Sequence, residues 1–199
     1  MFWDKISALY DIFEIIYNKK VFINTGKKVA EFINTSDLVL ECACGTGAIT
    51  KYIAPKCKYI YATDFSDGML KQTAKKCKNF NNIKIQKADI LNLEFKDQTF
   101  DKVIAGNVIH LLSVADKALR ELERVTKPGG KIIIPTYING SKGTSLLAVK
   151  FIELLGAKFN RQFDLNSYKE FFKNMGYENV SYFVVDGRMP CAIAVIDRF

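Results

Sequence analysis

The residues best suited to bind a ligand lie in one short loop. An apolar run beginning at Leu38 stops at Glu41, and Gly45 and Gly47 follow closely. A short apolar run that meets a turn signal predicts a buried strand. Closely spaced glycines let the backbone approach a ligand that a Cβ would repel, and they tolerate positive φ. In open α/β sheets such a loop at the carboxyl end of the first strand binds ligands, so the pattern predicts a nucleotide-type site.

Two classes of nucleotide cofactor compete for this loop. The dinucleotide pattern G-x-G-x-x-G/A requires a third small residue, and Thr50 occupies that position after Gly45 and Gly47. The pattern Glu41-x-Ala43-x-Gly45-x-Gly47 resembles instead motif I of the class I S-adenosylmethionine-dependent methyltransferases, usually E/D-x-G-x-G-x-G. Ala43 replaces the first glycine of that motif, a change that a negative φ at this residue would tolerate. The resemblance implies S-adenosyl-L-methionine as the cofactor, with this loop around its methionine part.

A second carboxylate, Asp64, follows a predicted strand over 59–63. At the carboxyl end of that strand it can accept charge-assisted hydrogen bonds from both hydroxyls of a ribose. The same acid would serve a nicotinamide cofactor, so alone it does not choose between the two classes. Ser66 offers an N-cap for the next helix, which leaves Asp64 unneeded for capping. Phe65 and Met69 are placed to enclose an adenine ring.

The resemblance implies further cofactor contacts along the chain. Ala88-Asp89-Ile90 resembles the family's adenine-recognition motif, in which the carboxylate accepts from the exocyclic amine and the next backbone N–H donates to the ring. Asn107 and Val108 leave the fourth strand and would face the sulfonium end of the cofactor. No metal ion is expected. The predicted cofactor-binding residues are Tyr10, Glu41, Ala43, Cys44, Gly45, Gly47, Asp64, Phe65, Met69, Asp89, Ile90, Asn107 and Val108.

The segment after the fourth strand also bears on the methyl acceptor. Nucleic-acid and protein amine methyltransferases commonly carry D/N/S-P-P-Y/F/W here, whereas this chain has Asn107-Val108-Ile109-His110. Together with 121–130, the chain resembles the branch of ubiquinone- and menaquinone-biosynthesis methyltransferases, which implies a small-molecule acceptor. His110, the only histidine, has an ordinary pKa of about 6.5 that suits proton removal near neutrality, and it is the candidate catalytic base. The alternative is that it only packs at the start of the following helix.

The elements that position these residues alternate between strands and helices. Strands are predicted over 38–42, 59–63, 83–87, 101–106 and 131–135, and helices over about 47–54, 67–78 and 113–125. This alternation predicts a doubly wound parallel sheet. Pro128-Gly129-Gly130 should end the last of these helices, and Pro135 should mark the end of its strand because proline cannot donate to a ladder.

The C-terminal part breaks the alternation. Helices are predicted over about 143–155 and 167–174, and strands over 180–185 and 191–196 flank Asp186-Gly187, a strong hairpin signal. The predicted fold is α/β and Rossmann-like, with a doubly wound seven-stranded sheet that is mostly parallel and ends in an antiparallel hairpin. A C-terminal hairpin of this kind is also what the resemblance implies.

The chain divides into an N-terminal segment, 1–35, and a class I methyltransferase domain, 36–199. The first segment has a helical apolar pattern with a break predicted at Asn24-Thr25-Gly26. It either packs against the sheet or covers the cofactor as a lid, as the resemblance implies for a segment containing Tyr10.

Composition limits the classes of function. A chain of 199 residues with 49% hydrophobic residues suits one domain, without the roughly 18-residue apolar run of a membrane span. The N-terminus lacks the order of a signal peptide, so a cytoplasmic protein is expected. The net charge of +8 keeps open an RNA- or tRNA-modifying enzyme, but the lysines are scattered, and nucleic acid is therefore an unlikely partner. A protein that binds the cofactor without turnover is the other alternative, since Ala43 departs from the motif.

Overall fold

A seven-stranded sheet forms the centre of the described part of the chain. The computed structural model describes residues 2–139 and 160–199, and the helix predicted over 143–155 lies outside them. The strand order is β3-β2-β1-β4-β5-β7-β6. β1 to β5 run parallel, and β7 pairs antiparallel with both β5 and β6, which confirms the predicted fold class. The strands are β1 Leu38–Cys42, β2 Tyr59–Asp64, β3 Ile83–Lys87, β4 Phe100–Ala105, β5 Thr126–Tyr137, β6 Val180–Val185 and β7 Cys191–Asp197.

Helices cover both faces of this sheet. In the described ranges they are α1 Phe2–Ala30, α2 Thr50–Ile53, α3 Asp67–Lys76, α4 Ala115–Val125 and α5 Leu165–Asn174, with single 3₁₀ turns at Ala54–Lys56 and Ile109–Leu111. The side chain of Ser66 caps α3 by accepting from the backbone N–H of Met69, as its sequence position predicts. None of these helices is both long and apolar enough to cross a membrane.

The alternation of side chains along β1 sends its residues into two separate core layers. Leu40 and Cys42 are buried in one layer, and Val39 is buried in the other. Because side chains on a strand alternate, Glu41 shares the face of Val39 and meets the start of α2, where Thr50 donates a hydrogen bond to it. The apolar character of β1 therefore results from burial on both faces, and its last residues reach the carboxyl edge of the sheet.

The break in the N-terminal helix lies at Asn18, so the prediction at 24–26 is wrong. Asn18 alone has non-helical φ and ψ, at −141° and 31°. Its side chain forms two hydrogen bonds with the backbone of Met189 in the loop between β6 and β7, which fix the chain there. Gly26 stays helical, and a Cβ on it would lie 2.3 Å from a ring carbon of Tyr52. This glycine therefore permits close packing and does not mark a turn.

Two further predictions about β5 are corrected. The helix before it ends at Val125, and Pro128-Gly129-Gly130 lies within the strand, where a register shift between Phe100 and Lys102 of β4 accommodates it. Pro135 also lies inside the strand and pairs with Ile193 of β7. The carbonyl of Pro135 accepts a hydrogen bond from the N–H of Asn107 on the edge of the strand that faces β4, beyond the last residue pair between β4 and β5. A residue's N and O point the same way in a strand, so the missing N–H of Pro135 faces that side and removes no bond to β7.

Other boundaries differ by a few residues. α2 begins at Thr50 and not at residue 47, because the preceding turn contains residues with positive φ. The predicted antiparallel hairpin is present, but its loop spans 186–190 and is therefore longer than a two-residue turn. Within it, a Cβ on Gly187 would lie 2.3 Å from Val21, so this glycine lets α1 approach the hairpin.

Candidate functional site

A cavity of about 550 Å³ lies at the carboxyl edge of the parallel strands. The residues that immediately follow β1, β2, β3 and β4 all line it, namely Ala43, Phe65, Ala88 and Gly106. This is the edge where open α/β sheets bind ligands. A second cavity of about 610 Å³ lies between α4 and the C-terminal residues, and none of the predicted site residues lines it. Position in the fold therefore selects the first cavity as the candidate site.

Most of the predicted cofactor residues meet in this cavity. Gly47 does not line it and packs against Thr73 of α3. The side chain of Tyr10 lies outside the described residues. The predicted residues that line the cavity are Glu41, Ala43, Cys44, Gly45, Asp64, Phe65, Met69, Asp89, Ile90, Asn107 and Val108.

The loop after β1 exposes its backbone to the cavity. Ala43, Gly45 and Gly47 all have positive φ, at 53°, 56° and 76°. The negative φ that would tolerate an alanine here is not observed, and Ala43 instead adopts a left-handed conformation that costs about 1–2 kcal/mol. A Cβ on Gly45 would meet no atom within 4 Å, so open space lies beside this part of the backbone. The loop thus forms a cradle into which a ligand can approach closely.

Asp64 connects this loop to the end of β2. Its Oδ2 accepts from the N–H of Gly45 at 2.9 Å, and its Oδ1 accepts from the N–H of Ser66 at 2.8 Å. A carboxylate has about four acceptor positions, so roughly two remain for a ligand hydroxyl pair. Burial raises the pKa of Asp64, although these backbone hydrogen bonds oppose the shift. The carboxylate is therefore held in place at the cavity wall with acceptor capacity to spare.

Glu41 is a buried acid on the same wall. It is 1% exposed, and the Thr50 hydroxyl donates to its Oε2 at 2.6 Å. Burial raises the pKa of Glu41 to about 8, and the hydrogen bond from Thr50 opposes that shift. The group is thus mostly protonated at neutral pH until a positive charge comes close to it.

The ionisable side chains of one type, carboxylic acids, dominate the wall of the cavity. Its described lining contains the carboxyl groups of Glu41, Asp64 and Asp89 and no lysine or arginine. Asp89 is exposed, and its Oδ1 accepts from the N–H of Leu91 at 2.9 Å. Asp64 and Asp89 favour a ligand that carries positive charge, and the approach of such a charge favours ionisation of Glu41 as well. Apolar side chains complete the wall, among them Phe65, Met69, Ile90, Val108, Leu111 and Leu112.

Asn107 fastens the end of β4 to β5. Its φ is 52°, its N–H donates to the carbonyl of Pro135 at 2.7 Å, and its Oδ1 accepts from the N–H of Tyr137 at 3.0 Å. Both Asn107 and Tyr137 line the cavity. The turn thereby presents Val108 to the cavity and then passes to the 3₁₀ turn that contains His110.

His110 is placed differently from the sequence expectation of a base that faces the ligand. The cavity wall includes Val108, Leu111 and Leu112 but not His110, which is 8% exposed. Burial lowers the pKa of His110 to about 4. Its carbonyl accepts from the N–H groups of residues 160 and 161 at 3.1 Å each. The arrangement fits a packing residue that joins the two described segments better than it fits proton removal near neutrality.

Three cavity residues from α1 were missed. Trp3, Phe22 and Thr25 line the cavity, whereas sequence reasoning assigned only Tyr10 from this helix to the site. The apolar spacing of the N-terminal segment was the available signal, but it predicts a buried face without saying whether that face meets protein or ligand.

Comparison with known proteins agrees with this geometry. A family model described as a methyltransferase domain matches residues 40–134. A demethylmenaquinone methyltransferase of Corynebacterium urealyticum is 41% identical over 101 residues, which are 51% of this chain and 42% of that protein. One from Thermobifida fusca is 31% identical over 136 residues, covering 66% of this chain and 58% of its own length. The chain thus spans about half the length of these relatives.

A solved structure shares the fold over nearly the whole chain. The protein is a SAM-dependent methyltransferase from Aquifex aeolicus, with a TM-score of 0.70 and 19% sequence identity, and the match covers 98% of each chain. At this identity the likeness concerns the fold alone.

Proposed function

We propose that the chain, whose residues 40–134 match a family model described as a methyltransferase domain, is an S-adenosylmethionine-dependent methyltransferase acting on a small-molecule acceptor. The observation that carries the proposal is the cavity at the carboxyl edge of the parallel strands, where the N–H of Gly45 in the glycine loop donates a hydrogen bond to Asp64. Its described lining offers acids and no lysine or arginine, which fits a cofactor whose sulfur is positively charged.

The residues fit the cofactor in three parts. The backbone at Gly45, with open space where a Cβ would lie, suits the methionine part. The remaining acceptor positions of Asp64 suit the two ribose hydroxyls. Phe65 and Met69 offer apolar surface for adenine beside Asp89 and Ile90, whose carboxylate and backbone N–H match the edge of that base. When bound, the cofactor supplies a methyl group activated by the positive sulfur.

The acceptor is a small apolar molecule. Val108, Leu111, Leu112 and Tyr137 give the cavity an apolar and aromatic wall next to Asn107. Such a wall excludes water and positions an acceptor, and holding the reacting groups in place contributes up to about 7–11 kcal/mol in favourable cases. Two relatives are named for a demethylated menaquinone, which supports a reduced quinone as the first acceptor to test.

Titration calorimetry followed by a transfer assay tests the proposal. S-adenosylmethionine and S-adenosylhomocysteine should bind, and NAD should not. Label from the methyl group of the cofactor should then appear in a lipid-soluble product when a reduced demethylated quinone is supplied. NAD binding of similar strength would overturn the cofactor assignment. Cofactor binding without transfer to any member of a broad panel of phenols, quinols, thiols and amines would favour a protein without turnover.

The role of Asp64 gives a sharper test of the site. Hydrogen bonds to a charged group contribute about 1.5–3 kcal/mol, so Asp64→Ala should weaken cofactor binding about ten- to hundredfold. Asp97→Ala is the control, since Asp97 is an exposed acid that pairs with Arg124 away from the cavity. Calorimetry measures both variants, and thermal unfolding reports any loss from the bond to Gly45. Affinity unchanged within a factor of two would leave Asp64 with a structural role alone.

A further inference from the structure

The apolar wall after β4 depends on attachments at both of its ends. Leu111 and Leu112 line the cavity at the end of a 3₁₀ turn of three residues. So short a turn has hydrogen bonds of poor geometry and leaves its last carbonyls without partners inside the turn. Asn107 fastens the beginning of this stretch to β5 through the N–H of Tyr137. The far end of the wall therefore needs a second attachment.

Two residues from a distant part of the chain supply that attachment. The backbone N–H groups of Asn160 and Arg161 both donate to the carbonyl of His110 at 3.1 Å. The side-chain amide of Asn160 donates to the carbonyl of Leu111 at 2.6 Å. The guanidinium of Arg161 donates to the carbonyl of Leu112, also at 2.6 Å. Three consecutive carbonyls of the wall are thus bonded to two consecutive residues.

The bridging segment, residues 160–163, is itself anchored to α5. Phe163 is 5% exposed, and its ring centre lies 5.2 Å from that of Tyr168 and 5.4 Å from that of Phe171. The guanidinium of Arg161 lies over the ring of Phe171 at 5.6 Å. Aromatic pairs and cation–π contacts at these distances are favourable. Arg161 therefore joins the wall of the cavity to α5, since it contacts both.

The charge of Arg161 is directed at the wall. Within the described ranges Arg161 pairs with no carboxylate, whereas Arg120 and Arg124 on α4 each form an ion pair with an acid. A hydrogen bond from a charged donor to a carbonyl is stronger than one between neutral groups. Neither Asn160 nor Arg161 is among the described residues that line the cavity. Both residues therefore act on a ligand through the wall and not by touching it.

We propose that Asn160 and Arg161 are positioning residues that fix Leu111 and Leu112 and thereby determine which methyl acceptors the cavity accepts. The inference rests on the proposed function, which assigns this wall to the acceptor. A displacement of about 1 Å in a positioning element can cost about a hundredfold in rate. A fixed apolar wall distinguishes acceptors that differ by one methylene by about 10- to 200-fold, and a loosened wall loses that discrimination.

Two substitutions remove the side-chain donors and keep the side chains similar in size. Asn160→Asp replaces the amide by a group that, when ionised, only accepts hydrogen bonds. Arg161→Met keeps an unbranched apolar stem above Phe171 and has no donor. The backbone N–H groups of both residues remain, so the two bonds to the carbonyl of His110 are retained. The double variant should therefore fold and loosen only the end of the wall.

A control pair carries the same changes elsewhere. Arg120→Met with Asn179→Asp alters the same residue types and the charge by the same amount, at the second cavity. Hydrogen exchange over 107–113 should be faster in the bridging variant than in the control pair and the unmodified protein. S-adenosylhomocysteine is the probe for cofactor binding. Calorimetry should show that all three proteins bind it within about twofold, because the loop after β1 and Asp64 are unchanged.

Acceptor selectivity is the readout that loss of folded protein would not change. The acceptors are reduced demethylated quinones with one ring and with two fused rings, both with a short side chain. The unmodified protein and the control pair should prefer one of them by about tenfold or more in kcat/KM, and the bridging variant by about threefold or less. Less folded protein would lower both rates in equal proportion and leave their ratio unchanged.

The outcomes separate this inference from the proposed function. If the unmodified protein binds no S-adenosylhomocysteine, or binds it and methylates neither quinol, the proposed function fails in its cofactor or in its acceptor class. If it methylates them without preference, or if the bridging variant keeps the preference within twofold, positioning by Asn160 and Arg161 is refuted and the methyltransferase function stands.

Discussion

The protonation of Glu41 links the site to the stability of the whole domain. Its carboxyl group is enclosed by protein, with Thr50 as its hydrogen-bond donor, and its pKa is raised from 4.5 to about 8 mainly by burial. Between those two pH values the folded chain keeps a proton that the unfolded chain has released. The contribution of Glu41 to stability is therefore full below about pH 4.5 and is lost as the pH rises through about 8.

Glu41→Gln should remove this pH dependence. In the ligand-free protein, Glu41 should lower the free energy of unfolding by at most about 1.4 kcal/mol for each unit by which the pH rises between about 4.5 and 8. Because glutamine cannot titrate, the variant should lack this contribution to the slope. Urea unfolding at a series of pH values checks the slope, with Glu94→Gln as the control because Glu94 is exposed. Identical slopes in the two variants would show that Glu41 is ionised in the folded protein.

Ala43 shows how the loop after β1 keeps its bend without a glycine at this position. The loop keeps positive φ at Ala43 although the alanine carries a Cβ. The next residue, Cys44, donates its N–H to the carbonyl of Thr63, and Gly45 is bonded to Asp64, so β2 fixes the loop on both sides of the bend. The strain at Ala43 is thus maintained by neighbouring strands, which is the usual condition for such a conformation to persist.

At the level of helices and strands, features that depend on neighbouring residues in the sequence could be predicted, whereas features that depend on contacts between distant residues could not. The strands β1 and β3 match their predicted bounds. In β1, burial on both faces produces a short apolar run that a turn signal ends, whereas β3 starts with isoleucines that alternate with a polar residue. The kink at Asn18 was not predictable in this way, since its partner Met189 lies 171 residues along the chain. The glycine loop was recognisable as a ligand site, but that Gly47 faces Thr73 depends on how α3 packs.

Replacing Ala43 by glycine tests the loop as an element. Glycine relieves about 1–2 kcal/mol of left-handed strain and loses roughly 0.4–1 kcal/mol through the freedom of the unfolded chain, so Ala43→Gly should be neutral or stabilising by up to ~1.6 kcal/mol. Ala74→Gly, on the exposed side of α3, should destabilise by about 1 kcal/mol. Urea unfolding measures both. Equal destabilisation by the two variants would mean that the backbone at Ala43 is not strained.

At the scale of the whole molecule, the net positive charge of the chain contrasts with the acidic lining of the cavity. The chain has 29 lysines and arginines against 21 acids, giving a net charge of +8. The described lining of the candidate site nevertheless contains acids and no lysine or arginine. A polyanion is therefore attracted to the outside of the protein and repelled from the place where a methyl group would be transferred. This separation argues against a nucleic acid as the acceptor although the net charge alone suggests one.

The charge separation predicts how the protein should behave with RNA. Binding to a mixed tRNA sample should be weak, with dissociation constants of about 10⁻⁴–10⁻⁶ M near physiological salt, and should weaken steeply as salt is added, because surface lysines contact phosphates only non-specifically. S-adenosylhomocysteine affinity should stay the same with or without tRNA, since the two ligands use different surfaces. Fluorescence anisotropy of labelled tRNA over a salt series and calorimetry of the probe measure these quantities. Sub-micromolar tRNA binding that persists at physiological salt, together with methyl transfer to the RNA, would instead assign the cavity to a nucleic-acid substrate.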